Sequence, residues 1–304
     1  MRLPAPVRAA TALARTPAVR AAAELVRAPA ALTVPGDSLA GAVAAGRELG
    51  AAAVPLTALS SVALYWAGMA LNDFADRETD ADERPARPIP SGRVTPGAAL
   101  ALATGLTGAG LALAGAAGGR RTLAVAVPLA GTVWAYDLVA KQHPLAGPAT
   151  MAAARALDVL MGAGYGRLRA ALPAAVAIGA HTLVVSVLSS REVEGAEAPL
   201  LCATLAATGG VTALAAVPGP YRGGPRQAVR AAALGLYTAG FGGAQATAGG
   251  RDPLRVRRAV AAGIAGLLPL QAACAARAGA APVAAGLLAV LPLTRRLFRK
   301  VSPT

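Results

Sequence analysis

Residues 52–95 read AAVPLTALSSVALYWAGMALNDFADRETDADERPARPIPSGRVT. No charged side chain occurs from 52 to 72, and a run of about 20 apolar residues is what an α-helix needs to cross a hydrocarbon core. The run then ends abruptly in acid. Asp73, Asp76, Glu78, Asp80, Asp82 and Glu83 fill an 11-residue window, followed by a Pro/Gly-rich turn from Arg87 to Gly92. Asn72, Asp76 and Asp80 are four apart, so on a helix they stack on one face. Asp73 lies about 100° round and reaches that face only from its flank. Carboxylates crowded at the end of a membrane helix repel one another unless a cation neutralises them. A stripe of hard oxygen ligands suits Mg²⁺, which shares its shell with water and phosphate. The plainer alternative is a solvated acidic loop balanced by Arg77 and Arg84.

The rest of the chain supports a membrane setting. It has 304 residues, 55% apolar and only 14% charged, with a mean hydropathy of +0.53, whereas a soluble domain carries about 25% charge. The net charge is +14, a balance that can mean nucleic acid. Nucleic-acid binders, however, place their charge on polar surfaces with stacking aromatics; here aromatics are 3% and the arginines punctuate apolar runs. Nucleic acid is therefore excluded as a partner, and membrane lipid is expected as the surroundings. Ten apolar intervals follow, at about 29–46, 52–73, 97–117, 122–140, 147–166, 171–190, 199–217, 228–247, 258–277 and 281–298. Pro35 and Asp37 weaken the first, and glycines the eighth. The expectation is an all-α polytopic bundle of about nine, possibly ten, transmembrane helices over residues 28–300. It is preceded by a basic amphipathic segment, 1–27, lying on an anionic membrane surface. Cys202 and Cys274 fall in apolar runs and read as small buried hydrophobes rather than a disulfide framework. Two separated cysteines with only His143 and His181 offer nothing for zinc.

Orientation follows from the arginines and lysines. With the N-terminus cytoplasmic, nineteen basic residues fall inside and nine outside, Arg155 lying within a span; the positive-inside rule favours that orientation. It also places both acidic windows on the cytoplasmic side. The second window is Glu192, Glu194 and Glu197, so the two together hold nine of the fifteen acids. Composition rich in Ala, Arg and Gly points to a bacterial coding sequence and hence a bacterial plasma membrane.

The motif of residues 71–95 resembles the first signature of the UbiA superfamily of intramembrane prenyltransferases, Asn-Asp-x-x-Asp-x-x-x-Asp followed by Arg-Pro-x-Pro-Ser-Gly. Asn72, Asp73, Asp76 and Asp80 match, as does Arg87 to Gly92. The segments YDLVAKQHPLAGP (136–148) and ARALDVLMGA (154–163) look most similar to an EboC-like, actinobacterial branch. The resemblance implies a bundle around a cavity open sideways to lipid. In it, two Mg²⁺ ions hold the diphosphate of a prenyl diphosphate, one at each acidic motif. By position, Asn72, Asp76 and Asp80 would be metal ligands, with Asp73 supporting them in a catalytic role. Tyr136 and Lys141 match a Tyr/Lys element near the diphosphate. Lys141 supplies a compact positive charge for phosphate; its plainer reading is a snorkelling side chain. The second motif departs from the usual Lys-Asp-x-x-Gly-Asp: Glu192 takes the first acid position, Ala196 replaces the second, and Glu194 or Glu197 would have to substitute.

Arg155 and Asp158 are three apart and can pair on one face, near substrate or as a structural ion pair. Arg87 would hold the diphosphate or its own loop. Tyr65, Trp66 and Trp134 would line an isoprenoid channel or anchor the interface. The resulting expectation is an Mg²⁺-dependent transferase that moves an isoprenoid to an unknown lipid-soluble or aromatic acceptor. A membrane terpene cyclase on the same scaffold, a non-catalytic isoprenoid-binding component and, last, a solute transporter are the rivals.

Overall fold

The computed structural model describes residues 17–164, 167–219, 224–249 and 252–298. Arg2, Arg8 and Arg15 of the basic leader lie outside them, as do Arg222, Arg251, Arg299 and Lys300. Among the described residues all regular structure is helical: α1 (Pro17–Leu25), a 3₁₀ turn (Ala28–Thr33), α2 (Pro35–Ala44), α3 (Ala53–Ala75), α4 (Arg77–Glu83), α5 (Pro96–Ala135), α6 (Ala146–Ala163), α7 (Leu168–Ser189), α8 (Ala198–Ala216), α9 (Gly224–Tyr237), α10 (Gly243–Ala246), α11 (Pro253–Arg277) and α12 (Ala281–Phe298). Helical segments fall in all ten apolar intervals. Among the described residues five helical runs are long and apolar enough to cross a membrane by length and composition, one of them 96–140.

Local sequence explains the ends. Thr95 caps α5 by accepting a bond from Ala98 N at 3.2 Å, with Pro96 in the first helical position; Asp252 and Pro253 repeat the arrangement at α11. Gly118 and Gly119 divide α5 into two arms that fold back on each other; Gly119 sits at φ 61, a conformation that costs a residue with a Cβ. Two π turns interrupt the ladder, Tyr136–Ala140 after α5 and Thr238–Gly242 after α9.

α11 is buried along most of its length and forms the spine of the bundle. The core against it is built from Ala, Val and Leu with a few large groups, Tyr237 and Phe241 among them. His181 stacks edge-on to both rings and contacts Tyr237 Oη at 2.9 Å and Gly263 O at 3.1 Å, so its role is packing. Small residues bring backbones together: a Cβ on Gly41 would fall 1.8 Å from Val159 O, and one on Gly162 would fall 1.9 Å from Ser38 O. Such direct contact is how membrane helices associate where lipid offers no hydrophobic drive.

Leu25 of α1 packs with Ala70, Leu71, Ile89, Ala99 and Ala103, so the end of α1 docks against the bundle. An amphipathic helix buries its apolar stripe against protein where protein is within reach. Cys274 is buried as expected, but Cys202 is exposed on the outside of α8, where an apolar run faces away from the bundle.

Candidate active site

Asn72 and Asp73 occupy the last turn of α3. Asp76 is the joint between α3 and α4, with φ −88 and ψ 3. The hydrogen-bond ladder nevertheless runs through the joint: Asp76 N to Asn72 O at 2.9 Å, Asp80 N to Asp76 O at 2.8 Å and Arg84 N to Asp80 O at 2.9 Å. The four-residue stack read from the sequence therefore survives the bend. Asp73 and Asp80 are buried, while Asn72 and Asp76 are half-buried.

Every carboxylate in this group meets a cation. Arg87 Nη1 lies 2.7 Å from Asp80 Oδ2 and 3.3 Å from Asp73 Oδ1, so the Arg-Pro-Ile-Pro-Ser-Gly turn is tied back to the helix that precedes it. Arg84 adds a contact to Asp80 at 3.6 Å. Lys141 Nζ stands 2.5 Å from Asp76 Oδ1. The π turn at 136–140 inserts an extra residue into α5 and turns Tyr136, Asp137 and Lys141 towards this cluster; π turns recur at functional sites for this reason.

Two members escaped the sequence reading. Arg27 Nη2 donates to Asn72 Oδ1 and Asp73 Oδ1, each at 3.3 Å. Its backbone is held at φ 46, a left-handed conformation unusual for a residue with a side chain. Asp137 is buried and accepts a bond from Asn72 Nδ2 at 3.1 Å, which fixes the amide and turns Asn72 Oδ1 towards Arg27. A lone acid four residues before Lys141 in an apolar run was the available signal.

Beside the cluster opens a cavity of about 290 Å³. Arg27, Tyr136 and Asp137 line one end, Leu64, Tyr65, Gly68, Met69, Leu129 and Val133 the middle, and Thr33, Ser61, Arg155 and Asp158 the other. Arg155 and Asp158 thus face inward as expected, but not as partners. Arg155 Nη1 pairs with Asp37 Oδ2 at 2.5 Å, and Asp158 accepts from Ser61 Oγ. Asp37, whose charge argued against the first span, is fully buried and also accepts from Gln271 Nε2 at 2.7 Å. Tyr65 lines the cavity, Trp66 faces a separate apolar groove with Leu39 and Leu287, and Trp134 Nε1 donates to Thr107 at 3.0 Å.

A family model described as the UbiA prenyltransferase family matches residues 38–242, two thirds of the sequence. The chain belongs to the UbiA prenyltransferase family. Among curated relatives, digeranylgeranylglyceryl phosphate synthase of Methanothrix thermoacetophila is 46% identical over 26% of this chain and 30% of its own. The enzyme of the same name from Methanopyrus kandleri is 39% identical over 42% and 47%. The chain thus spans less than half the length of these relatives. A UbiA homolog from Archaeoglobus fulgidus, solved bound to GPP and Mg²⁺, shares the fold with a TM-score of 0.57 at 15% identity, over 90% of this chain and 99% of that one. A UbiA homolog from Aeropyrum pernix K1 gives 0.51 at 19% identity, over 87% and 94%. The curated relatives are archaeal, and an EboC-like branch finds no support among them. UbiA membership and the apolar helices make this a multi-pass membrane protein.

The second acidic window is less organised than the UbiA pattern. α7 ends at Ser189, and Gly195 takes φ 80, so the helix on which the acids would have stacked does not continue. Glu194 is exposed and pairs with Arg191 at 3.3 Å, and Glu197 is exposed at the start of α8. Glu192 is half-buried, its carbonyl accepting from Arg257 Nε at 3.2 Å. Ala196, in place of the second acid, is buried. Among the described residues no group of three or more carboxylate, imidazole or thiol side chains stands arranged to hold a metal ion.

Proposed function

We propose that the chain is an intramembrane prenyltransferase that binds a prenyl diphosphate at the cluster of Asn72, Asp73, Asp76, Asp80 and Asp137 and transfers its isoprenoid to a lipid-soluble acceptor. The observation that carries this reading is the meeting, at the mouth of one apolar cavity, of these oxygen donors with Arg27, Arg87 and Lys141. A binding site for an anionic head and an apolar tail requires that combination.

The donor set fits Mg²⁺. It contains only amide and carboxylate oxygens, and an ion that takes one or two protein carboxylates and fills its shell with water and phosphate needs no closed cage. Asn72, Asp76 and Asp80 would hold it, with Glu192 the best-placed residue of the second window and Glu194 and Glu197 auxiliary to it. When bound, Mg²⁺ would neutralise the departing diphosphate. Lys141 and Arg87 sit where they take up further phosphate charge, Asp73 and Asp137 hold Arg87, Arg27 and Asn72 in position, and Tyr136 closes the mouth side of the cavity. The apolar walls around Tyr65 and Leu129 exclude water while the allylic C–O bond breaks and the acceptor attacks C1.

The relatives' names suggest a glyceryl-lipid acceptor, while the segments at 136–148 and 154–163 resemble an EboC-like branch of the family. Orientation with the N-terminus and both acidic windows in the cytoplasm, a bacterial plasma membrane and nine or ten crossings complete the proposal.

Asp76→Ala is expected to abolish pyrophosphate release while the protein stays inserted and folded; full activity would overturn the assignment. Release from prenyl diphosphates only when lipid extract is present marks transfer, and release without extract marks cyclisation or hydrolysis. The acid missing at Ala196 favours one second reading, a non-catalytic isoprenoid-binding component, which would bind the diphosphate and release nothing.

A further inference from the structure

The end of the cavity lined by Thr33, Ser61, Arg155 and Asp158 is polar and charged, which is unusual for the end of a channel that receives a hydrocarbon tail. We propose that the buried network of Arg155, Asp37, Asp158 and Ser61 is a floor that sets the length of isoprenoid accepted, admitting geranyl and farnesyl chains and rejecting geranylgeranyl. The inference rests on the reading of the mouth as a diphosphate site.

Depth comes first. Ser61 precedes Asn72 by eleven residues on the uninterrupted α3, so it lies roughly 16 Å below the diphosphate end at 1.5 Å per residue. Asp158 lies twelve residues into α6, which starts at the mouth side, or roughly 18 Å down. The two walls agree, and the hydrogen bond between these residues ties α3 to α6 at that level.

Chemistry comes second. Asp37 is fully buried and held by Arg155 and Gln271, and Arg155 Nη2 reaches Thr33 Oγ1 at 3.4 Å. A methyl terminus pressed into this group would gain no apolar contact and would strip hydrogen bonds from charges that have no water to replace them.

Beyond this level the helices are closely packed. Ser60 Oγ donates to Gly110 O at 2.7 Å, and α2 meets α6 backbone to backbone at Gly41 and Gly162. A chain extended at about 1.2 Å per bond advances about 5 Å per four-bond isoprene unit, so a depth of roughly 16 Å receives about three units.

The test measures binding and turnover of geranyl, farnesyl and geranylgeranyl diphosphates by the full chain in nanodiscs with Mg²⁺. Apolar burial alone would make the longest chain bind tightest, so a reversed order is diagnostic. Geranyl and farnesyl diphosphates are expected to bind roughly tenfold or more tightly than the geranylgeranyl compound, the scale of discrimination that pocket size provides. The double variant Ser61→Ala/Asp158→Ala, which removes both partners of one hydrogen bond, is expected to narrow that gap several-fold. Asp158→Asn, which keeps the floor polar, should keep the wild-type order. Equal or tighter binding of the longest chain by the wild type overturns the floor, whatever the variants do. That result would send the tail instead through the groove beside Trp66. Failure of all three compounds to bind would instead sink the diphosphate reading itself, so the two failures are distinct.

Discussion

Asp137 shows what one residue contributes that its neighbours do not. By accepting from Asn72 Nδ2 it decides which face of the amide is offered to the mouth. Outer partners of this kind typically matter by about 10–100-fold in metal affinity. Asp137→Asn is therefore expected to raise the Mg²⁺ concentration for half-maximal activity by about that factor, with little change in melting temperature. An unchanged Mg²⁺ requirement would remove Asp137 from the site. The stack of Asn72, Asp76 and Asp80 was legible because its members are four apart and one helical turn relates them. Asp137 was not, because it is 65 positions from Asn72 and only the fold brings them together. The same holds for Arg155: its i, i+3 neighbour Asp158 was visible in the sequence, whereas its actual partner, Asp37, lies 118 positions away.

At the level of elements, glycine placement does what side chains cannot. α2 and α6 approach so closely that Gly162 has the carbonyl of Ser38 where a Cβ would be. Gly162→Val is expected to destabilise the bundle by at least about 1–3 kcal/mol through overpacking, read as a fall in melting temperature in detergent. It should also disturb the Arg155–Asp37 pair that the two helices carry between them. A variant melting like the wild type would mean the helices separate freely. The ten apolar intervals could be read from composition, as could the end of α7 at Ser189, since the interval 171–190 stops there. The π turn at 136–140 could not: nothing in YDLVA distinguishes it from a continuing α-helix, and it exists because Asp137 and Lys141 find partners on α3. The docking of α1 was likewise hidden, because its apolar stripe is equally suited to lipid or protein.

Across the whole molecule, charge orders the two ends. The end that carries the acidic windows has nineteen basic residues in the proposed topology and the far end nine. In a Cys202→Ser/Cys274→Ser background, Arg84→Cys and Arg257→Cys should resist a membrane-impermeant maleimide added to intact cells, while Arg120→Cys and Arg169→Cys react. The opposite labelling would invert the orientation. The mouth itself has its own balance: Asp73, Asp76, Asp80 and Asp137 are matched in number by Arg27, Arg84, Arg87 and Lys141. A self-neutralised mouth bears on biogenesis. The repulsion that four unpaired acids would bring to membrane insertion is cancelled by side chains of the same polypeptide, so the bundle can enter the bilayer and assemble before any cation reaches it. In the proposed reading, substrate and ion would arrive by exchanging partners with arginine and lysine rather than by completing an unfinished protein.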